Sequence, residues 1–409
     1  MLLNSARALD LMTQARLDAL VITSPVNIKY FTDYWLWSDD LFREYMLSPG
    51  ASSSRLQFYA VYPIDGEPAL VLPPLSAANA SDSWVKDIYV YGESPFERPL
   101  RPPISNADQV LARLSEWRQA DTPVDAVAAA LQQRRLAASR LGVELEGLSP
   151  AVHDELRRKL PEAEIADATN LIRLIRSVKS STEIQLLKRC AEINELAALE
   201  ALRTAGPGVS VKEITETFRV VVARNGANFD HAAFGMQGLG LATEPDWRLT
   251  DEFLFADFGC IYAGYFSDTG FTLAIAQVEP SQEYEALLAG IRAGVGVLRP
   301  GTPSSLVQGE MKKALADHNV RVCFPHGHGL GLEIRDYPIL VPPNGLRIRD
   351  GCVDVSSDLS LEAGMVINLE ASVWYPGTGS LQVEQTFEIT ADGSKPLAPQ
   401  DRSSPFRPT

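Results

Sequence analysis

Five side chains in the second half of the sequence could together bind divalent cations. They are one histidine and four carboxylates: Asp257, Asp268, His328, Glu370 and Glu384. This oxygen-rich donor set suits two ions of the Mn, Co, Zn or Fe class. Any one of these residues alone is more simply a solvated carboxylate or a hydrogen-bonded loop histidine, so composition does not decide between the two interpretations.

The spacing of two of these carboxylates favours a shared site. Asp257 and Asp268 lie eleven residues apart, on either side of the glycine-containing residues 258–264. If the flanking segments pair as strands, both carboxylates can point into one site. His328 stands in a glycine-rich stretch, residues 326–331, where little side-chain bulk blocks the approach of a ligand.

The elements that must position these residues form two predicted domains. Residues 1–170 alternate helical and strand patterns and predict an α/β domain, whereas helices laid on an antiparallel sheet predict an α+β domain over residues 171–409. A capping box, Ser180 with Glu183, opens a predicted helix over 181–203. Further predictions are helices over 107–133, 282–298 and 304–318, extended structure over 28–32, a hairpin of 57–62 with 68–72, and strands over 253–257, 366–372 and 381–389.

Composition argues against several classes of partner. The 409 residues carry 37 Lys and Arg against 52 Asp and Glu, a formal net charge of −15. Sequence-independent binding to nucleic acid or to an anionic membrane needs clustered Lys and Arg, so neither partner is expected. The four cysteines form no C-x-x-C pair, and neither a signal peptide nor a membrane-spanning helix is predicted. We expect a cytoplasmic protein.

Four motifs resemble those of the pita-bread metallohydrolases, the M24 peptidase family. They are Asp257-Phe-Gly with Gly-Tyr-Phe-Ser-Asp268, residues 327–333, residues 361–370, and Val383-Glu384, in the family's order. The family includes methionine aminopeptidase, aminopeptidase P, prolidase and the metal-free relative creatinase. The resemblance implies a C-terminal pita-bread domain preceded by a smaller creatinase-like N-terminal domain, for which residues 27–32 are a weak marker.

The resemblance also implies a role for each of the five ligands. Asp257 would chelate one ion, His328 and Glu370 would bind the other, and Asp268 and Glu384 would bridge the two. Glu370 would in addition handle a proton, as its equivalent in the family is thought to do. The implied cofactor is two divalent ions per chain, with Mn as the first choice and Zn, Co or Fe as alternatives.

The sequence departs from the family pattern at positions that handle substrate. Phe271 replaces the arginine of the family's Asp-x-Thr-Arg, and Gln382 replaces an arginine two residues before the last ligand. Arg335 and Gly240 stand where the peptidases have histidines. Intact metal chemistry is therefore expected, whereas ordinary X-Pro peptidase specificity does not follow.

Several residues are candidates for catalysis or substrate binding. Arg335 could bind a substrate anion or an oxyanion, with a salt bridge to Asp336 as the alternative. His326 is a candidate proton donor or a structural histidine, and His231 is a candidate replacement for the lost upstream histidine. Gln382 is a further candidate for substrate binding.

An aromatic and charged segment, residues 34–45, stands out in the N-terminal domain. Packing under a flap or an oligomer interface would each explain its aromatic residues. Creatinase-like relatives are dimers in which the partner's N-domain contributes to the substrate pocket. By that analogy a homodimer is expected, with Trp37 and Arg43 shaping specificity across the interface.

Three functions are compatible with these residues. The leading hypothesis is a dinuclear metal-dependent hydrolase, of the metallopeptidase or aminopeptidase kind, that cleaves an amide or other C–N bond. Its substrate would be a small molecule or a short peptide, with X-Pro dipeptides included. The second hypothesis is a small-molecule lyase or creatinase-like amidine hydrolase on the same fold. The third is a non-enzymatic binding protein, against which the retention of all five ligands argues.

Overall fold

The computed structural model divides into two compact units. Unit 1 comprises Met1–Ile175 with Ile348–Val355, and unit 2 comprises Arg176–Arg347 with Ser356–Thr409. The domain boundary between residues 170 and 171 remains our proposal. The structure describes residues 1–35, 56–77, 83–92, 119–235, 253–275, 282–321, 326–375, 379–398 and 401–408, together with short stretches between some of these ranges.

Unit 1 is built on one mixed sheet. Its strands are β1 (Ala19–Ile22), β2 (Tyr59–Pro63), β3 (Ala69–Leu72), β4 (Asp87–Tyr91), β5 (Gln119–Ala120), β6 (Arg140–Val143) and β7 (Glu164–Asp167). Its helices are α1 (Ser5–Gln14), α2 (Pro25–Thr32), α3 (Pro74–Ala77), α4 (Pro123–Gln133), α5 (Pro150–Lys159) and α6 (Thr169–Ser177), the last of which continues into unit 2. The strand order is β5-β4-β3-β2-β1-β6-β7. The antiparallel pairing of β2 with β3 confirms the predicted hairpin.

Three helices of unit 1 begin with a hydroxyl residue followed by proline. The side chains of Ser24, Thr122 and Ser149 each accept a hydrogen bond from the backbone N–H three residues later. Proline suits the next position because a helix leaves the first N–H groups without partners. These starts explain two corrections to the sequence predictions.

Residues 28–32 were expected to be extended, but they belong to helix α2. Ser24 caps this helix, and the buried carboxylate of Glu144 accepts from the backbone N–H groups of Thr23 and Ser24 at 2.8 and 2.9 Å. The continuous helix expected over 107–133 is also wrong, because residues 119–120 form strand β5 and α4 begins only at Pro123. Proline lacks the N–H that a helix interior requires, so it marks the start of α4.

Unit 2 combines helices with a larger sheet. Its helices are α7 (Ser181–Arg203), α8 (Val211–Arg224), α9 (Gln282–Val297) and α10 (Ser304–Asp317). The strands are β8 (Asn228–Phe234), β9 (Phe253–Tyr262), β10 (Tyr265–Ala274), β11 (His328–Gly329), β12 (Asp336–Ile339), β15 (Val366–Tyr375), β16 (Gly379–Ile389) and β17 (Ser394–Pro396). A separate pair, β13 (Arg347–Arg349) and β14 (Asp354–Ser356), lies mostly in the Ile348–Val355 segment of unit 1. The sheet order is β10-β9-β16-β15-β11-β12, with β8 on β9 and β17 on β16.

Most of these elements confirm the sequence predictions for the second half of the chain. Ser180 and Glu183 form the predicted capping box of α7. Helices α9 and α10 and strands β9, β15 and β16 contain the predicted segments to within about a residue at their ends. In the part of the chain that the structure describes, no helix is both long enough and apolar enough to cross a membrane.

The helices of unit 2 determine which face of the sheet is apolar. Buried side chains of α7 and α8 pack against Ala256, Phe258 and Cys260 of β9. Similarly, α9 and α10 pack against β15 and β16. Because side chains alternate along a strand, Asp257 and Gly259 face the opposite side from Phe258. The apolar packing on one face therefore directs the polar residues of β9 to the other.

A buried ion cluster connects β12 to the segment before α7. Asp336 Oδ2 lies 2.9 Å from Lys179 Nζ, and its Oδ1 lies 3.2 Å from Arg176 Nη2. All three side chains are buried. Burial alone would raise the pKa of Asp336, but the two cations hold this pKa below its usual value.

Replacing Asp336 with Ala should lower the free energy of unfolding by about 3–5 kcal/mol, because Lys179 is left buried without its carboxylate. Urea unfolding measures this loss. The matched control is Asp317→Ala, since Asp317 pairs with Lys313 on the surface, and it should change stability by no more than about 0.5 kcal/mol. Because the folded pKa is lowered, the contribution of Asp336 should be complete above about pH 4 and fade below it. Equal stability of the two variants would contradict the assignment.

Candidate metal centre

The two aspartates lie on one face of the β9–β10 hairpin. Asp257 is directly opposite Gly270, and Asp268 is directly opposite Gly259. Directly opposite residues share a face, as do residues two apart along a strand. Both carboxylates therefore project from the face that the helices leave uncovered, as the sequence spacing predicted.

The other three predicted ligands come from neighbouring strands. Glu370 and Glu384 are directly opposite each other in the β15–β16 pair. His328 is directly opposite Asn368 in the β11–β15 pair. Asn368 and Glu370 are two residues apart and thus share a face, so His328, Glu370 and Glu384 project to the same side.

Donor atoms of His231 and of the predicted ligands other than Glu370 converge into two overlapping groups. One group comprises Asp268, His328 and Glu384, and the other comprises Asp268, Asp257 and His231. Within each group, one donor atom per residue lies within 4.8 Å of the others. Asp268 belongs to both groups, which suits a carboxylate between two cations.

The imidazole of His328 is oriented as a metal ligand would be. Its Nδ1 lies 2.9 Å from the carbonyl oxygen of Gly329, so Nδ1 carries the proton and donates it. The fully buried Nε2 lies 3.6 Å from Asp268 Oδ2, beyond hydrogen-bond distance, and has no hydrogen-bond partner among the described residues. A buried polar atom without a partner is costly, and a divalent ion between Nε2 and Asp268 would make both of them ligands.

The carboxylates are too crowded for all of them to be ionised without a cation. Burial, reinforced by the charges of Asp268 and Asp257, raises the pKa of Glu384 well above its usual value. Burial also raises the pKa of Glu370 to about 7. Since metal ligands must be deprotonated, ion binding at this site would release protons.

His231, a predicted substrate residue, lies among these carboxylates. Its Nε2 is 3.3 Å from Asp257 Oδ1 and 3.5 Å from Asp268 Oδ1. Burial alone would lower the pKa of His231, but hydrogen bonds with Asp230 and Asp257 raise this pKa well above its usual value. When no cation is bound, a positive imidazole at this position would offset part of the carboxylate charge.

Two amides hold the Glu384 carboxylate. Asn368 Nδ2 donates to Glu384 Oε1 at 2.8 Å, and Gln382 Nε2 donates to Glu384 Oε2 at 2.6 Å. A Cβ atom at Gly270 would lie 2.4 Å from the Gln382 amide nitrogen, so only glycine allows this close approach. Gln382, a predicted substrate residue, is thus hydrogen-bonded to Glu384 within the site. Its contact with substrate stays a prediction.

Arg335 lies beside the site. Its Nη2 is 3.7 Å from Glu370 Oε1, and its side chain is 52% exposed. Asp336, the alternative partner that the sequence offered, pairs instead with Arg176 and Lys179. The guanidinium is therefore available to a ligand that approaches Glu370.

His326 contacts the predicted ligand Glu370 through the backbone, since its carbonyl oxygen accepts from the Glu370 N–H at 3.4 Å. The ring of His326 is buried, and within the described residues neither ring nitrogen has a hydrogen-bond partner. Burial lowers the pKa of His326 to about 4, so the ring is neutral at pH 7. Its catalytic role stays a prediction. Trp37 and Arg43 lie outside the described residues.

Sequence reasoning missed a buried arginine behind the face that carries the candidate metal centre. Arg402 Nη2 donates to Glu195 Oε1 at 2.8 Å and to Thr269 Oγ1 at 2.9 Å. Its guanidinium carbon lies 3.7 Å from the centre of the Phe271 ring. A residue near the C-terminus thus places a guanidinium beside Phe271, where the family pattern has an arginine. No motif around Arg402 could have indicated this contact, because it depends on tertiary structure.

The profile of metallopeptidase family M24 matches residues 184–391, about half of the chain. The chain belongs to this family. The profile of the creatinase/prolidase N-terminal domain matches residues 5–178. Together these matches confirm the predicted α+β fold class, a pita-bread domain preceded by a creatinase-like domain, and the prediction of a metal-dependent hydrolase.

Curated M24 relatives are similar over most of their length. The Xaa-Pro dipeptidase of Lactobacillus delbrueckii subsp. lactis is 24% identical over 404 residues, which cover 93% of this chain and 92% of that protein. The Xaa-Pro dipeptidase of Pyrococcus horikoshii is 26% identical over 272 residues, 64% of this chain and 74% of that protein. The uncharacterized peptidase YqhT of Bacillus subtilis is 27% identical over 272 residues, 63% and 72% respectively.

Solved structures share the fold of this M24 chain. The dipeptidase PepE from Mycobacterium ulcerans superposes with a TM-score of 0.71 at 22% identity, covering 99% of this chain and 96% of that one. The X-Pro aminopeptidase from Thermotoga maritima gives a TM-score of 0.72 at 16% identity, covering 97% and 99%. At these identities the likeness supports the fold and no finer statement.

Proposed function

We propose that this M24 hydrolase binds two divalent ions through Asp257, Asp268, His328, Glu370 and Glu384, and that it cleaves the C–N bond of an X-Pro dipeptide or short peptide. The observation that carries the metal site is the buried Nε2 of His328, which faces Asp268 at 3.6 Å. The two Xaa-Pro dipeptidases among the relatives support the substrate class. Manganese is the proposed ion because most of the donors are carboxylate oxygens. The proposed location is cytoplasmic.

Each group has a separate task in this proposal. When bound, a pair of divalent ions lowers the pKa of the attacking water and polarises the scissile carbonyl. Glu370, which borders the site beside Arg335, is the proposed residue that takes up or releases a proton during the reaction. Asn368 and Gln382 keep the Glu384 carboxylate in one orientation. Arg335 offers paired N–H donors to a substrate carboxylate.

A small-molecule lyase or amidine hydrolase is the second candidate function. Arg335 favours it, because a half-exposed guanidinium beside Glu370 suits a small anion as well as a peptide carboxylate. Parallel assays with X-Pro dipeptides and ureido compounds separate the two functions. Conversion of ureido compounds alone would favour the second.

The purified protein should bind about two Mn²⁺ per chain and hydrolyse Ala-Pro faster than Ala-Ala. The variants Asp268→Ala and Glu384→Ala should each lose at least one ion and the activity, because each removes a ligand that would serve both ions. Elemental analysis and dipeptide hydrolysis measure these losses. Glu285→Gln, an exposed change on α9, serves as control. Two ions retained in both alanine variants would refute the ligand set.

Substituting Arg335 should weaken substrate binding without changing metal content. Arg335→Ala should lower kcat/KM roughly 10- to 150-fold. This corresponds to a loss of about 1.5–3 kcal/mol of transition-state stabilisation, the range for a hydrogen bond to a charged group. Arg335→Lys should retain part of the effect, since it keeps the charge and loses the paired donors. Arg299→Ala, an exposed change elsewhere in unit 2, is the control. Unchanged kinetics of Arg335→Ala would exclude it from substrate binding.

We further propose a homodimer formed through unit 1. Trp35, Tyr45 and Met46, which flank Trp37 and Arg43 in the sequence, expose large apolar side chains. Exposed large apolar side chains support an interaction surface in this part of unit 1. Light scattering should give about twice the chain mass of 44.7 kDa. A particle of 44.7 kDa at micromolar concentration would contradict the dimer.

A further inference from the structure

His231 is placed by strand pairing next to the two aspartates. It lies on β8 directly opposite Gly259 of β9. Gly259 is two residues from Asp257 and directly opposite Asp268. All four residues therefore share the face of the sheet that carries the candidate metal centre.

Gly259 leaves the space that the imidazole fills. A Cβ atom at this position would lie 2.3 Å from both Nδ1 and Cε1 of His231. The backbone of Gly259 is not in the left-handed region, so conformational freedom does not explain a glycine in the middle of this strand. Close approach of the His231 ring does explain it.

The two ring nitrogens of His231 have different surroundings. Nδ1 lies 2.8 Å from Asp230 Oδ2, so Nδ1 carries a proton and donates it to this carboxylate. Nε2 points between Asp257 Oδ1 at 3.3 Å and Asp268 Oδ1 at 3.5 Å. A histidine that binds a metal ion typically donates its other ring N–H to a carboxylate or carbonyl oxygen, which fixes the ring.

His328 has the same arrangement on the other side of Asp268. Its Nδ1 is directed at a carbonyl oxygen, and its Nε2 is 3.6 Å from Asp268 Oδ2. Each oxygen of Asp268 therefore faces the Nε2 of a different histidine. A carboxylate that bridges two ions would present one oxygen to each ion.

We propose that His231 is a sixth metal ligand, completing the ion site of Asp257 and Asp268, and that Asp230 is the residue that positions it. The proposal rests on the proposed dinuclear function. Without His231, the ion beside Asp257 and Asp268 would have only oxygen donors among the five motif residues, and His231 would add one imidazole to it. Imidazole suits Zn, Cu, Fe or Ni better than Mn. This site should therefore favour such an ion more strongly than a carboxylate-only site would.

Calorimetric titration of the metal-stripped protein with Co²⁺ tests the assignment. The wild-type chain should bind two ions, and His231→Ala should bind one of them about 100-fold more weakly or not at all. Asp230→Ala should weaken the same ion by about 10- to 100-fold, the range for a residue that orients a metal ligand. His318→Ala, a change of an exposed histidine in unit 2, should leave both affinities unchanged. Two ions bound by His231→Ala with wild-type affinity would overturn the proposal.

Proton NMR of the wild-type Co²⁺ protein gives a second readout that does not depend on a variant folding. Each coordinated histidine should contribute one paramagnetically shifted ring N–H signal that disappears in D₂O. We expect two such signals, from Nδ1–H of His231 and of His328. Two bound ions with only one such signal would overturn the role of His231 and leave the dinuclear function standing. A wild-type chain that binds no Co²⁺ would overturn both.

Discussion

Mutual repulsion among four carboxylates on one face of a sheet is the constraint on which the rest of unit 2 depends. Asp257, Asp268, Glu370 and Glu384 project to this face, and removing even one such charge from water costs several kcal/mol unless it is compensated. The raised pKa values of Glu370 and Glu384 express this cost. A pair of divalent cations would remove this cost and turn an unfavourable cluster into a binding site.

The surroundings of the site reduce the same cost. Amide donors from Asn368 and Gln382 satisfy both oxygens of Glu384. Glycines at 259 and 270 let the neighbouring side chains approach the backbone closely. On the opposite face, packing of apolar residues against the helices keeps the strand register from slipping, because a shift of one residue would exchange the two faces.

Much of unit 2 could be predicted because its signals are local. The capping box at Ser180, the spacing of Asp257 and Asp268, and the order of the motifs each lie within a short stretch of sequence. In contrast, helix α2 depends on Glu144, which is more than a hundred residues from the backbone groups that it accepts from. Likewise, the contact of Arg402 with Thr269 and the place of His231 opposite Gly259 follow from tertiary contacts and strand register, which no local pattern encodes.

The central claim is that two cations occupy the face of the sheet that carries the carboxylates. Crystals grown with Co²⁺, with diffraction data collected on both sides of the cobalt absorption edge, would test it most directly. We predict two anomalous peaks on either side of the Asp268 carboxylate, one next to Asp257 and His231 and the other next to His328 and Glu370. An anomalous difference map that shows well-ordered protein but no peak beside Asp268, from crystals grown at saturating Co²⁺, would contradict the account.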